Sequence, residues 1–219
     1  TADNVRIWFG FVRNMAADYD KPRMTPVKWV DGVASVLEMP ENSIRDLPLW
    51  YGCMARGASL DGSIVYGTEW DNTDYGLIWW DATGKVAYAG EDVRRVHYDY
   101  VEDTEGNRLE VALVDGLVTT AQKTNSSGNG EWIACAFRTE KLNADKSANE
   151  TQHYPAFFNT KTGKTTILYE YPDGQALAVT DDGIGFCTSP YSGGLDGFVY
   201  DAAKDEYLMN ITTWVKDHF

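Results

Sequence analysis

The chain has 219 residues and a formal net charge of −14 at pH 7. This charge argues against nucleic acid and anionic membrane surfaces as partners, because either would add its own negative field to that of the protein. No apolar run approaches the roughly 18 to 20 residues of a membrane helix, so we expect no membrane insertion. Aromatic residues make up 13% of the chain and 20 residues are Gly. Because aromatic side chains favour pleated, half-buried strands and Gly divides the sequence into short segments, the composition predicts an all-β protein.

A short apolar run recurs four times along the chain. In each copy an Ile is followed three places later by a small residue, and the copies begin at Ile7, Ile64, Ile133 and Ile184. Repeats of one segment indicate repeats of one structural unit. We therefore expect these four Ile residues to occupy equivalent places in four copies of the same sheet.

A second landmark follows each run, an apolar or aromatic pair that ends in Asp or Asn just before a turn. These residues are Asp31, Asp81, Asn159 and Asp201. Asp and Asn bond to their own backbone two residues on, and a following Gly supplies a positive φ, so the pattern predicts hairpin turns. One more run follows each turn, and three of the inner runs are preceded by a segment ending in Asp-Gly or Asn-Gly. Each unit thus has four strands, a to d, joined as a meander.

Four strands repeated about every 50 residues are typical of propeller blades. We predict a single β-propeller domain over residues 1–219, with an insertion at 91–115 that folds as a hairpin and with blades at 5–40, 51–90, 117–172 and 175–211. Blade 1 lacks strand a. Either the tail 211–219 supplies that strand and completes a small ring of four blades, or the chain is part of a larger propeller. A sandwich or jelly roll of the same strands is the alternative fold.

Two stretches resemble the HAF-type extracellular repeat of bacterial secreted proteins. They are Trp29-Val-Asp-Gly32, followed by Leu37, and Ser59-Leu-Asp-Gly-Ser-Ile-Val-Tyr-Gly67. Blades 3 and 4 depart from the pattern, with Phe or Val in place of Trp. The resemblance implies a β-propeller in an extracytoplasmic location, which is periplasmic, cell-surface or secreted, and it brings no catalytic residues. The acidic and aromatic character is also similar to that of secreted propellers from gut Bacteroidetes.

The loops predict where a site would lie. The a–b and c–d connections are tight, whereas the b–c and d–a connections are long and open on the opposite face of a meander blade. We call that side the long-loop face. Because binding residues usually sit on loops held by a rigid scaffold, we expect the functional surface there. The long b–c loops are 13–23, 69–75, 138–153 and 189–194, and the long d–a loops are 40–50 and 91–115.

One of these loops combines aromatic and acidic side chains. Its candidate ligand-binding residues are Glu69, Trp70, Asp71, Asp74 and Tyr75, and a second loop presents Tyr191. Aromatic rings can stack on sugar rings or receive basic side chains, and carboxylates accept hydrogen bonds from hydroxyl groups or pair with Lys and Arg. The alternative is that the first loop is only a capped connection whose Trp covers a blade edge.

No catalytic or cofactor signature is found. The three His residues have no Ser or Cys arrangement that would form a triad. The stretch from Asp71 to Asp74 offers oxygen ligands for calcium, but the spaced Asp-x-Asp-x-Asp-Gly loop is absent, so we predict no cofactor and keep calcium as the alternative. Cys53, Cys135 and Cys187 lie in apolar settings without metal-ligand spacing. We interpret them as small buried hydrophobes, with one disulfide as the alternative.

These observations predict a non-enzymatic extracytoplasmic binding or scaffold module that recognises a glycan or a protein through the long-loop face. One alternative is a glycan-active enzyme, a lyase or hydrolase that uses the acidic and aromatic loop residues. Another is a structural subunit of a larger propeller. An incomplete ring has open strand edges, so we expect either a homodimer or further blades upstream.

Overall fold

The computed structural model describes residues 6–14, 23–43, 52–69, 76–102, 105–114, 116–120, 124–143, 149–189 and 197–219. Within these ranges the protein is all-β, as predicted, with five antiparallel sheets and one short helix. The first sheet has three strands, β1 (Ile7–Arg13), β2 (Met24–Val30) and β3 (Val33–Val36). The second has four, β4 (Cys53–Ala58), β5 (Val65–Glu69), β6 (Leu77–Trp80) and β7 (Val86–Tyr88).

A separate hairpin, β8 (Val96–Glu102) and β9 (Arg108–Val114), follows the second sheet and confirms the predicted hairpin in the insertion. The third sheet contains β10 (Leu117–Thr119), β11 (Asn125–Ser126), β12 (Trp132–Leu142), β13 (Asn149–Asn159) and β14 (Thr165–Ile167). Its strand a is in two pieces, because both β10 and β11 pair with β12. The fourth sheet contains β15 (Gln175–Val179), β16 (Ile184–Thr188), β17 (Gly197–Asp201) and β18 (Glu206–Asn210), and helix α1 (Ile211–His218) follows it.

The a–b turns of the second, third and fourth sheets are built in the same way. In the second sheet the Ser59 hydroxyl donates to Asp61 Oδ1 at 2.6 Å, while the Ile64 N–H donates to Ser59 Oγ at 3.0 Å. One short side chain thereby links the Asp of the turn to the first backbone N–H of the following strand. The same two bonds recur at Ser127, Asn129 and Trp132 in the third sheet and at Thr180, Asp182 and Ile184 in the fourth.

The c–d turns follow the predicted mechanism in three of the four sheets. Each uses an Asp or Asn side chain that accepts the backbone N–H two residues further on, at 2.9 Å for Asp81, 3.0 Å for Asn159 and 3.1 Å for Asp201. In the first sheet Asp31 accepts the N–H of Arg6 at 3.0 Å instead. The c–d turns of the second, third and fourth sheets therefore share one construction.

The predicted equivalence of the four Ile residues is wrong by one position. Ile7 and Ile133 pair with the residue before the turn Asp or Asn, whereas Ile184 pairs with Asp201 itself. Ile64 matches Ile184, since both donate their N–H to the turn hydroxyl. In the second and third sheets both positions are apolar, as Ile64-Val65 and Trp132-Ile133, so the local sequence does not define the register.

The four sheets pack on one another in sequence order. A Cβ on the turn Gly62 would come within 2.6 Å of Ile7 Cδ1 in the first sheet, and Gly130 and Gly183 lie in the same way against Ile64 and Trp132 of the sheet before them. Hydrogen bonds join these turns, from Leu60 N to Gly128 O at 2.8 Å and from Asn129 N to Asp181 Oδ1 at 2.8 Å. The buried residues Leu77, Ile133, Phe157 and Ala176 fill the spaces between the sheets.

The tail does not form a strand, which corrects the prediction that 211–219 could complete blade 1. It forms α1, because the Asn210 side chain caps the helix by accepting the N–H of Thr212 at 2.8 Å. The helix covers the face of the fourth sheet that points away from the third sheet. Trp214 contacts Phe186 edge-on at 5.0 Å between ring centroids, and Ile211 lies against Gly197.

The three Cys residues are confirmed as buried hydrophobes. Cys53, Cys135 and Cys187 are free thiols with at most 1% of their surface exposed, so the alternative of a disulfide is wrong. Burial raises the pKa of each thiol far above its usual range. These thiols therefore stay protonated and act as apolar filler.

Replacing Ser59 with Ala should lower the free energy of unfolding by about 1 to 3 kcal/mol, because the buried turn loses the acceptor for the Ile64 N–H. Urea denaturation followed by tryptophan fluorescence measures this change. Ser35→Ala is the matched control, since Ser35 is exposed, and it should change stability by less than about 0.5 kcal/mol. Equal effects of the two substitutions would contradict the proposed role of the turn hydroxyl.

Stability should fall at acid pH. Hydrogen bonds from Ser59 and Ser63 hold the pKa of Asp61 below its ordinary value of 3.8, and a bond from the Thr83 hydroxyl lowers the pKa of Asp81. A carboxyl with a depressed folded-state pKa stabilises the fold above its unfolded-state pKa and loses that contribution as pH falls through the folded value. Denaturation between pH of about 5 and about 2.5 should show this loss, with a shallower slope in the double variant Asp61→Asn/Asp81→Asn. An unchanged slope would exclude these two groups as its source.

Candidate functional site

Most of the predicted site residues cannot be placed. Trp70, Asp71, Asp74, Tyr75 and Tyr191 lie outside the described residues, so their roles stay predictions. The exception is Glu69. It is the last residue of β5 and is fully buried, whereas the sequence suggested an exposed loop residue. The difference arises because the strand pairs as far as Glu69, which lies opposite Cys53 in β4.

Glu69 lies beside Tyr88 of β7. Burial, and after it the negative charge of Glu69, raises the pKa of Tyr88 far above its usual range. Burial and then the charge of Glu69 likewise raise the pKa of Cys53. Sequence reasoning missed Tyr88 because it stands 19 residues further along in an outer strand, and only the pairing of β5, β6 and β7 brings the two together.

The phenol of Tyr88 also lines an open cleft of about 370 Å³. This volume lies within the range of about 300 to 1,000 Å³ that is usual for ligand sites. One wall is the segment after β3, and the other consists of β7 and the turn that follows it. The lining residues are Glu38, Met39, Pro40, Glu41, Asn42, Ser43, Val86, Ala87, Tyr88, Glu91 and Arg94.

The segment after β3 is fixed against the second sheet by hydrogen bonds. Trp80 Nε1 donates to the carbonyl oxygen of Glu38 at 2.6 Å, and Val86 N donates to Glu38 Oε2 at 3.1 Å. The Tyr88 hydroxyl donates to the carbonyl oxygen of Asn42 at 2.9 Å. Leu37 adds an apolar anchor, since it packs into the core of the second sheet beside Trp80. The wall formed by the segment after β3 is therefore held at both of its ends, at Glu38 and at Asn42.

The charges in the cleft are mainly negative. Glu38, Glu41 and Glu91 are exposed carboxylates, and Arg94 is the one cation among the lining residues. Arg94 Nη2 lies 3.5 Å from Glu91 Oε2, so part of its charge is already compensated. Carboxylates accept hydrogen bonds from hydroxyl groups and pair with Lys and Arg, while they repel anions. The cleft suits a hydroxyl-rich or cationic ligand.

The cleft lies where several loops of the predicted long-loop face begin. Two predicted d–a loops, 40–50 and 91–115, both begin in its walls, and the predicted b–c loop 69–75 begins at Glu69 behind Tyr88. Three loops that are far apart in the sequence thus start around one cleft. Pairing within the second sheet, and hydrogen bonds from that sheet to the segment after β3, produce this arrangement.

The third sheet corrects another predicted loop. Residues 138–153 were expected as a long loop, but β12 continues to Leu142 and β13 starts at Asn149. Arg138 Nη2 forms an ion pair with Glu140 Oε1 at 2.7 Å, and both side chains are at most 10% exposed. Opposite them, burial and then the charge of Arg138 lower the pKa of His153. An extended strand pair with a buried ion pair therefore replaces most of the expected loop.

No protein-family model matches the chain, and no curated protein matches it significantly. Within the described ranges, no group of three or more His, Cys, Asp or Glu side chains could hold a metal ion. Asp71 and Asp74 lie outside those ranges, so the calcium alternative stays a prediction. No helix in the part of the chain that the structure describes is long and apolar enough to cross a membrane.

Replacing Tyr88 with Phe should loosen the wall of the cleft, because the carbonyl of Asn42 loses its donor. We expect the free energy of unfolding to fall by about 1 kcal/mol and hydrogen exchange to speed up in residues 39–43. Tyr98→Phe is the control, since the side chain of Tyr98 is 60% exposed on β8. Unchanged exchange in the Tyr88 variant would show that this hydrogen bond does not hold the segment.

Proposed function

We propose that the chain is a non-enzymatic binding module with a β-propeller architecture, which recognises a glycan or a protein through the long-loop face. Four meander sheets with shared turns, packed in sequence order, support the propeller arrangement. The observation that carries the binding role is the convergence of three predicted long loops on one cleft beside Tyr88.

The lining residues favour certain ligands. Exposed carboxylates of Glu38, Glu41 and Glu91 can accept several hydrogen bonds at once, which suits neighbouring sugar hydroxyls or the cations of a basic peptide. Met39 and Pro40 give the cleft an apolar part against which a sugar ring or an aliphatic side chain can pack. The proposed binding surface also includes the loop residues predicted from the sequence, which are Trp70, Asp71, Asp74, Tyr75 and Tyr191.

The extracytoplasmic location, whether periplasmic, cell-surface or secreted, belongs to the same proposal. It rests on the resemblance of Trp29-Val-Asp-Gly32 and Ser59–Gly67 to the HAF-type repeat. A secreted binding module of bacterial origin would meet glycans and foreign proteins at the cell surface, which agrees with the ligand classes above.

A glycan-active enzyme is the second candidate, favoured by the contact between Glu69 and Tyr88. A fully buried carboxylate beside a phenol with a strongly raised pKa is an arrangement found at active sites as well as in structural cores. Hydrolysis would need a second carboxyl group at a controlled distance. The predicted acidic residues Asp71 and Asp74 would be the partners in that case.

The binding role predicts a selective loss of affinity. A glycan array and a panel of basic peptides should identify a ligand, and Glu41→Gln/Glu91→Gln should weaken its binding at least about tenfold, equal to about 1.4 kcal/mol. Trp70→Ala should weaken it as well. Glu206→Gln is the matched control, since Glu206 is exposed in β18 of the fourth sheet.

Two outcomes would change the conclusion. If the cleft variant and Trp70→Ala both leave every detected interaction unchanged, the proposed site is wrong. If the protein cleaves the bound glycan in a reducing-sugar assay and Glu69→Gln abolishes that turnover, the enzyme replaces the binding module.

A further inference from the structure

The β8–β9 hairpin exposes two tyrosine rings on one of its faces. Tyr98 and Tyr100 are two positions apart in β8, so their side chains point to the same side, and they are 60% and 41% exposed. His97 points to the opposite side and pairs with Leu113, which is only 1% exposed. The side with Leu113 is therefore turned to the protein. The side turned to solvent, which we call the tyrosine face, includes Tyr98, Tyr100, Glu102, Arg108, Glu110 and Ala112.

A cation already lies on one of the two rings. Arg108 Cζ is 4.3 Å from the centroid of the Tyr100 ring, which is a cation–π contact. Glu110 is the direct cross-strand partner of Tyr100, and its Oε2 accepts the Tyr100 hydroxyl at 3.4 Å. The tyrosine face thus holds one guanidinium on an aromatic ring that also contacts a carboxylate.

The strand register gives Tyr98 a different diagonal neighbour. Arg108 reaches Tyr100 along a diagonal, since it stands two residues before Glu110, the partner of Tyr100. The same diagonal step from Tyr98 leads to Glu110, which stands two residues before Ala112, the partner of Tyr98. Diagonal neighbours on one face are about 7 to 8 Å apart, within reach of aromatic and long side chains. Tyr98 therefore has a carboxylate where Tyr100 has a guanidinium, and among the described residues no cation lies over its ring.

The charge of the hairpin favours a cationic occupant for Tyr98. Residues 96–114 contain five carboxylates, whereas Lys and Arg occur only once, as Arg108. A guanidinium stacked on Tyr98 gains a cation–π contact and an ion pair with Glu110. The small side chain of Ala112 leaves the ring open to it. An anion would be repelled by the same carboxylates, and a neutral sugar would leave their charge uncompensated.

We propose that the tyrosine face binds an arginine side chain of a basic partner protein, with the guanidinium stacked on Tyr98 and paired with Glu110. Arginine is favoured over lysine, because its planar guanidinium stacks on a ring and bonds a carboxylate through two N–H groups. This inference rests on the proposed function, since it names a partner class for the long-loop face, to which the insertion 91–115 belongs. The hairpin begins at Val96, two residues after Arg94 in the wall of the cleft.

Fluorescence anisotropy with the labelled peptide (Gly-Arg)4 tests the site, because alternate residues of an extended peptide point to one side. At about 150 mM salt the peptide should bind more tightly than (Gly-Lys)4 and at least about tenfold more tightly than (Gly-Ser)4. Tyr98→Leu keeps an apolar side chain but removes the ring, and it should weaken binding about twofold to fivefold, the range of one exposed cation–π contact. Tyr98→Leu/Glu110→Gln should weaken it at least about tenfold, whereas Tyr98→Trp should strengthen it.

Tyr207→Leu is the matched control, since Tyr207 is a tyrosine that is 47% exposed in β18 of the fourth sheet. It should leave the affinity for (Gly-Arg)4 unchanged. Circular dichroism checks that each variant is folded. The wild-type protein locates the site without any variant, because its backbone amide resonances should shift most within 96–102 and 108–114 when (Gly-Arg)4 is added.

Four outcomes overturn the proposal. They are (Gly-Arg)4 binding no more tightly than (Gly-Ser)4, equal effects of Tyr98→Leu and Tyr207→Leu, amide shifts confined to other parts of the chain, and loss of a glycan ligand in Tyr98→Leu without any effect on (Gly-Arg)4. If (Gly-Arg)4 does not bind but Glu41→Gln/Glu91→Gln loses another ligand, only the hairpin site is wrong and the proposed function stands. If the hairpin variants alone lose (Gly-Arg)4, the hairpin site stands and the cleft is not the site.

Discussion

One hydrogen-bonded turn fixes the arrangement of the sheets. Ser59, and its counterparts Ser127 and Thr180, join strand a to strand b by accepting the first N–H of strand b and donating to the Asp or Asn two residues on. The Gly that follows has no side chain, so the start of strand b in the preceding sheet can lie directly against it. The same few atoms therefore shape each sheet and set its distance from the previous one.

This constraint explains why the two ends of the array differ. Each sheet from the second to the fourth receives the sheet before it on its a–b turn, whereas the described residues of the first sheet include no strand a. Its outer face and edge are left exposed and apolar. At the other end, α1 packs on the fourth sheet, where Trp214 contacts Phe186.

The cleft depends on the same stacking. The chain leaves the first sheet at Val36 and runs along the outer strand of the second sheet, where Trp80 and Tyr88 bind its backbone. Glu69 is buried behind this wall, and it perturbs Tyr88 through contact and charge. The cleft that we propose as a recognition surface and a buried polar contact thus share one side chain, the phenol of Tyr88.

The sequence by itself determined the all-β class, the c–d turns at Asp81 and Asn159 and the hairpin in the insertion, because turn chemistry and alternation act over a few residues. Tertiary structure decided the rest. The one-residue offset between Ile7 and Ile64 came from strand pairing, because Ile64 and Val65 are both apolar and only the partner strand selects the register. The tail became α1 because Asn210 caps its first turn and Trp214 packs on Phe186 of the fourth sheet. Glu69 and Tyr88 lie side by side because strand register decides which side chains are neighbours across a sheet, and no local signal in the sequence reveals that register.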